Sequence, residues 1–586
     1  MTYSAPVDDI FAALKSAANL DDRLANGSYP GLDAETIRAV LEEAGSFAAD
    51  VLAPINWSGD RVGSKLINGA VVTPPGFKEA YQKYAGGGWS ALPCPEEYGG
   101  QGLPEIISAA TGEIWNSANL AFGVGVLLTQ GAIHALNSGG SESLKAAYLP
   151  KMVSGQWTGT MNLTEPHAGS DLSVLNTRAD RQGDGTYLIT GTKIFISFGD
   201  HDMAENIIHL VLARLPDAPA GTRGISLFLV PKILLNEDGS LGARNDVLCA
   251  GVEHKLGISA SPTCVMKFGE GGGATGFLVG EENRGLATMF VMMNQARLAV
   301  GMQGVAVAER ATQRAVAFAK ERTQGRAANA NGPGMSPIIK HPDVRRSLLT
   351  MKAMTQAARM ICLATAAELD GAHRAVDASQ ASAARNLAAL LTPVAKAFAT
   401  DTGVEVASLG IQVHGGMGYV EDTGAAQHLR DARILPIYEG TNGIQAIDLV
   451  TRKLPLEGGK VVASYLLSIA ATATSLEARK DPKLGDTSAN LKQGLEALKR
   501  ATDFMLAANR DNPELALAGA TPYLRLFALV AGASYLANSA LRPDARADDG
   551  VLARFFAENF LTAAPGLADT VVLGGNSVLD DAGVLA

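Results

Sequence analysis

Apolar residues recur at spacings of three and four along "LDAETIRAVLEEAGSFAADVLAPI", from Ile37 to Val51, and predict an amphipathic helix with Asp33 as its N-cap. Helical periodicity persists to "AAYLPKMVSGQW", so residues 1–156 read as an N-terminal helical domain. The period then drops to two. "NTRADRQGDGTYLITGTKIFISF" predicts two strands about a Gly183-Asp184-Gly185 turn, and "IIHLVLARL" and "GISLFLVPK" are strand-like runs. Residues 157–282 therefore read as a central β domain. Within it "GEGGGATG", 269–276, lacks the Lys-Ser/Thr of a phosphate loop and is flanked by strand-like runs, which predicts a flexible hairpin. Helical periodicity returns over 283–455 in one very long amphipathic segment from Glu282 and a second over 380–411, the pattern of an antiparallel helix bundle. Met289, Met292 and Met293 read as core of that bundle. Residues 456–586 form an Ala/Leu-rich helical C-terminal domain. The fold class is mainly α with a central β domain.

Composition narrows the function. The 586 residues are 47% hydrophobic and 18% charged, enough to bury a large core. The net charge of −10, and 12 Lys+Arg against 15 Asp+Glu over 456–586, argue against nucleic-acid binding. The four cysteines, Cys94, Cys249, Cys264 and Cys362, form no CxxC pair and fit a reducing compartment. The N-terminus has no basic, apolar signal pattern, and no charge-free run of about 20 apolar residues is evident. These features place the protein in the cytoplasm, with no membrane span expected. HxxxH, HExxH, GxSxG and a βαβ-borne GxGxxG are all absent, so no metal site, hydrolase elbow or Rossmann cofactor site is expected.

Four stretches carry candidate chemistry, each with an ordinary alternative. "MNLTEPHAGSDL", 161–172, offers hydroxyls and backbone N–H groups to a planar polar ligand, or is an Asx or Ser turn. In "KIFISFGD", 193–200, Phe195 and Ser197 share a strand face, as in any half-buried sheet. The paired glycines of "QVHGGMGYVED", 412–422, allow close backbone approach or cap a helix. In "ILPIYEGTNGIQ" the carboxylate of Glu439 follows an apolar run and precedes a helix with a capping-box-like Asn442 and Gln445. It is a candidate catalytic base, or one half of a salt bridge to Arg430 or Arg433.

Taken in order with "PCPEEYGGQG" (93–102) and "ERTQGR", these stretches resemble the acyl-CoA dehydrogenase family over about residues 35–455. The N-terminal part and extra tail resemble the subgroup that includes 3-methylmercaptopropionyl-CoA dehydrogenases. The resemblance implies a β-barrel or sandwich domain between a helical domain and a four-helix bundle, FAD as cofactor, and an acyl-CoA substrate. It implies α,β-dehydrogenation to the trans-2-enoyl-CoA, an electron-transfer flavoprotein as acceptor, and a homodimer sharing FAD contacts. An acyl-CoA oxidase, a DNA-associated homologue and a non-catalytic acyl-CoA binder are the alternatives.

Residue by residue, the resemblance implies that Met161, Leu163 and Thr164 line the flavin, with Gly169 in the same turn. Ser170 meets an FAD phosphate or the substrate tail. Phe195 stands where the family often has tryptophan, and Ser197 where a hydroxyl bonds near N5. Arg322 and Gln324, in a stretch one residue shorter than in common members, reach the adenine half of a neighbouring subunit's FAD. Gln412, Gly415 and Gly416 meet the pyrophosphate, and Thr441 adds a further FAD contact. Glu439 is the α-proton base. Its backbone N–H and a ribityl hydroxyl hydrogen-bond the thioester carbonyl. Tyr438, Gly440 and Arg297 lie by the substrate, with Leu127, Leu128 and Thr129 near the acyl pocket.

Overall fold

The computed structural model describes residues 3–330, 333–580 and 582–585, without the side chains of 290–292 and 294; the expectation for Met292 lies outside that set. After two short helices at Val7–Ser16 and Leu20–Ala25, helix α1 (Ala34–Phe47) starts where Asp33 accepts the Thr36 N–H at 2.7 Å. Two apolar helices follow, α2 (Glu105–Ala118) and α3 (Leu120–Gly139). They precede strands β1 (Trp157–Asn162), β2 (Arg178–Arg181), β3 (Tyr187–Ser197), β4 (Asn206–Arg214), β5 (Ile225–Pro231), β6 (Val247–Val252), β7 (Thr263–Phe268) and β8 (Ala274–Val279). These form one sheet in the order β6-β7-β3-β8-β5-β4-β1, with β2 paired to β3 and β4. β5 is buried throughout and β4 nearly so, which explains continuous apolar runs where a half-exposed strand would alternate.

β3 is the hinge of this sheet. Its first half pairs with β2 and β8, its second half with β7. β7 and β8 therefore lie in line along one edge of β3, and the glycine-rich stretch between them is no hairpin. Gly272 and Gly273 carry positive φ (131° and 126°), letting the chain kink between the two pairings. The N–H groups of Gly271 and Gly273 donate to Asp246 Oδ2 at 2.7 and 3.2 Å, so a carboxylate of the chain itself occupies the loop.

The bundle is built on three long helices, α4 (Gly285–Glu321), α5 (Pro342–Arg374) and α6 (Ala378–His414), with short α7 (Ala425–Ala432) and α8 (Asn442–Asp448) packed on them. Met289 is fully buried and Met293 packs against the core. A buried ion network joins this bundle to the N-terminal domain. Arg359 of α5 donates to Glu113 of α2 (2.6 Å) and to Glu309 of α4 (2.8 Å).

Further helices, among them α9 (Lys460–Arg479) and α10 (Ala520–Leu541), form the C-terminal domain. α10 lies so close to α5 that a Cβ on Gly532 would sit 3.0 Å from that of Ala357. Ion pairs Arg542–Asp21 (2.6 Å), Lys15–Asp544 (2.7 Å) and Arg546–Asp9 (2.5 Å) tie this domain to the chain's first helices. One expectation is corrected. Leu120–Gly139, Leu456–Arg479 and Ala520–Leu541 are each long and apolar enough to cross a membrane. The first and last are mostly buried within the protein, where apolarity on all sides serves core packing.

Candidate active site

Glu439 sits on a short loop between the bundle helices, just before α8, whose N-cap is Thr441. Its backbone is left-handed (φ 54°), a conformation uncommon for a non-glycine residue and one that collects at functional sites. The side chain is half-buried and makes no hydrogen bond or close ion pair among the described residues. Arg430 is occupied by Asp60 (2.5 Å) and Glu421 (2.9 Å), so the salt-bridge alternative does not form with it. Burial pushes the Glu439 carboxyl above its usual range, against the opposing charges of Lys396 and Arg297. Arg297 itself is buried and paired with Asp448 at 2.9 Å. Gly440 is also left-handed (φ 85°), and a Cβ there would meet Gln445 Nε2 at 2.7 Å.

The capping box does not form, because both of its members serve the loop instead. Gln445 Nε2 donates back to the Gly440 carbonyl at 2.9 Å. Asn442 Nδ2 donates to Asp401 (2.8 Å) and Thr400 (3.0 Å), while its Oδ1 accepts from Lys396 at 2.9 Å. Lys396, fully buried on α6, also donates to the Leu435 carbonyl at 2.9 Å. One ammonium thus clamps both flanks of the Glu439 loop. Burial pulls that ammonium down to about 7, against the raising effects of Glu439 and Asp401; Arg297 lowers it further.

A free lysine titrates near about 10.4, so between these values the unfolded chain binds the extra proton. Stability gained from this residue therefore rises with pH across that window. Lys396→Met should lose that slope, so that the gap in unfolding midpoint between wild type and variant shifts toward the wild type from pH 7 to 10. Parallel midpoint–pH curves would contradict it.

On the β domain, Met161 lies one residue before the end of β1 and is buried, Leu163 and Thr164 are half-buried, and Gly169 and Ser170 are exposed. The segment is pinned to β3 by Ile194 N–H to Thr164 O (2.9 Å) and Lys193 Nζ to Leu163 O (3.1 Å). β3 bulges against β7 at this point. Phe195 lies at the bulge with φ 59° and is 59% exposed, while Ile196 faces the core and Ser197 is half-buried. An exposed aromatic held in a strained conformation on a rigid strand, with a polar neighbour on the accessible side, fits one face of a planar ring cofactor. Asp171 accepts the Ser173 N–H at 2.8 Å, the Asx turn that was the ordinary alternative for this stretch.

Arg322, Gln324, Gln412, Gly415 and Gly416 are all exposed and gather elsewhere, where α4 and α6 end. Stacking of Phe318 on His414 (4.5 Å between centroids) brings those ends together. Nothing lies within 4 Å of a Cβ on Gly415 or Gly416, leaving room for a ligand to approach the backbone.

A cavity of about 80 Å³ opens between α2, α3 and α4, lined among others by Trp115, Asn116, Leu127, Gln130 and Met302. A hydrogen-bond chain links it to the carboxylate loop: Tyr438 OH donates to Gln303, and Gln303 Nε2 donates to Asn116 at 3.2 Å. Of the three α3 residues predicted near the pocket, Leu127 lines it. Leu128 is buried, and Thr129 turns to the sheet, accepting the Gly159 N–H at 3.1 Å.

Four family profiles cover most of the chain. Those described as acyl-CoA dehydrogenase N-terminal, middle and C-terminal domains match residues 34–156, 160–270 and 283–454. A fourth, acetyl-CoA dehydrogenase C-terminal like, matches 466–581. This chain belongs to the acyl-CoA dehydrogenase family. Among curated relatives of this acyl-CoA dehydrogenase family member, a 3-methylmercaptopropionyl-CoA dehydrogenase of Ruegeria pomeroyi is 48% identical, over 96% of this chain and 95% of that protein. A butyryl-CoA dehydrogenase of Syntrophomonas wolfei is 34% identical, over 92% and 89%. A crystal structure of an acyl-CoA dehydrogenase from Bacillus anthracis, complexed with FAD, shares the fold with a TM-score of 0.75 at 19% identity, over 93% and 90%.

Four residues by the candidate site escaped the sequence reading. Besides Lys396 and Gln303, Glu165 of "LTEPHAGSD" is buried and takes hydrogen bonds from Asn176 N, Thr177 N, Thr177 Oγ1 and Lys193 Nζ. Glu165 and Lys193 hold the turn that carries Gly169 and Ser170. A charged residue inside an otherwise strand-like run, as Lys193 is, was the available signal.

Proposed function

We propose that this protein dehydrogenates a short acyl-CoA between its α and β carbons, with FAD as cofactor and Glu439 as the base that takes the α-proton. The half-buried, unpartnered Glu439 carboxylate on its strained loop carries this reading. Bound FAD supplies the acceptor for the hydride that leaves the β-carbon. Met161, Leu163, Thr164, Phe195 and Ser197 would hold its ring, with Gly169, Ser170 and Thr441 near its chain. Arg322, Gln324, Gln412, Gly415 and Gly416 would serve the cofactor of a second subunit in a homodimer.

The protein's own contribution is placement and proton affinity. A thioester α-proton is weakly acidic, so the Glu439 backbone N–H would bind the carbonyl oxygen where negative charge develops. Burial raises the proton affinity of Glu439 toward the working pH, the condition in which a general base is most effective. Lys396 and Arg297 oppose that rise. Gly440 and Tyr438 leave room for the thioester beside it. On the measure by which one water needs about 10–15 Å³, the 80 Å³ cavity takes a chain of about five to eight non-hydrogen atoms.

The relatives at 48% and 34% identity, named for 3-methylmercaptopropionyl-CoA and butyryl-CoA, support a short chain. An electron-transfer flavoprotein is the proposed acceptor. The test is anaerobic mixing of the flavin-loaded protein with a graded acyl-CoA series. Bleaching of the flavin should be fastest with four- to five-atom chains, and no bleaching with any thioester would refute the proposal. Peroxide release in air at the turnover rate would instead identify an oxidase.

A further inference from the structure

A second cleft, of about 350 Å³, opens where α4, the start of α7 and the helix Ala53–Val62 meet. Two arginines one turn apart on α4, Arg310 and Arg314, line it. Arg310 lies over the Tyr3 ring at 5.5 Å. Arg314 is half-buried and makes no hydrogen bond or ion pair among the described residues. Taking a charge out of water is costly unless a counter-charge meets it. Gly424, the N-cap of α7, holds the guanidinium in place: its φ is 76°, and a Cβ there would lie 3.1 Å from both terminal nitrogens of Arg314. The guanidinium therefore lies against the start of α7, which has no side-chain cap and no acidic residue in its first turn. Free N–H groups at a helix start favour an anion.

His428, one turn into α7, is an independent sign of a ligand. It lines the cleft and is 7% exposed, yet its buried Nε2 has no partner among the described residues. Buried polar atoms are nearly always hydrogen-bonded in folded proteins. Burial and the charges of Arg310, Arg314, His414 and Arg430 keep this imidazole neutral, and with its proton on Nε2 it is a donor. Asp422, which also lines the cleft, is taken by Arg61 at 2.7 Å. Trp57 adds a half-exposed aromatic surface. At about 10–15 Å³ for each, the volume holds roughly 23–35 non-hydrogen atoms, the size of a nucleoside monophosphate. Arg314 precedes Arg322 by eight residues, about 12 Å along α4, which separates the cleft from the contacts assigned to FAD.

We propose that this cleft binds a phosphate monoester of nucleotide size. Its phosphate accepts from Arg314, from the N–H groups at the start of α7 and from His428 Nε2, and Trp57 flanks its organic part. The test is calorimetric titration of the flavin-loaded protein, whose cofactor contacts are filled, with AMP, inorganic phosphate and adenosine. AMP should bind more tightly than phosphate, and adenosine should not bind. Phosphate binding as tightly as AMP would overturn the nucleotide as occupant and leave the bare ion. Adenosine binding as tightly as AMP, or no binding of AMP and phosphate, overturns the proposal. Arg314→Gln strands no partner, so flavin content should stay unchanged while AMP binding weakens about ten- to a hundredfold, the range of hydrogen bonds to a charged group. Unchanged AMP affinity in that variant overturns the site. If Arg314→Gln does not fold, His428→Phe, which keeps a ring and removes the donor, is read in the same way.

Discussion

Glu439→Gln should retain bound flavin and lose about 10²–10⁴-fold in the rate at which acyl-CoA bleaches it, the usual contribution of a positioned general base. The substitution is close to isosteric. Glu439 makes no hydrogen bond among the described residues, so the amide strands no partner. The clamp from Lys396 to Leu435 O and Asn442 Oδ1 does not involve the Glu439 side chain, and the loop should keep its shape. A rate loss is then attributable to chemistry. Stopped-flow bleaching, with flavin content measured on the same sample, separates the two; full-rate bleaching would remove Glu439 from the mechanism.

Arg359→Met should cost about 3–5 kcal/mol of stability, the typical result of leaving buried charges without their partner. Arg359 and Glu113 are both fully buried, and Glu309 closes the network from a third helix. The two carboxylates hold the guanidinium firmly protonated, while burial pushes the Glu113 carboxyl up despite its partner. Pairing the variant with Glu113→Gln removes one stranded charge, so the double variant should lose less than the sum of the singles. Thermal and denaturant unfolding of the four proteins would show this, and additive losses would contradict it.

The architecture was legible because the hydrophobic period changes from helical to two and back at the edges of the β domain, and Asp33 marked a helix start that the structure keeps. The order of weak motifs pointed to the family, which no single stretch could do. What escaped was set by contacts across long sequence separations. Lys396 lies 43 residues before Glu439 on another element, and only the fold places its ammonium beneath the loop. The glycine run at 269–276 looked like a hairpin because a local pattern cannot reveal that both flanking strands pair with β3. The capping box at Asn442 failed for the same reason: α6 offers its side chain better partners than its own helix does.

α10 packs on α5 with a glycine at the point of contact, and ion pairs from the same domain reach the chain's first helices. The chain therefore carries within itself the cover for a bundle face that a shorter chain would leave wet. Its first and last hundred residues are held in one clasp.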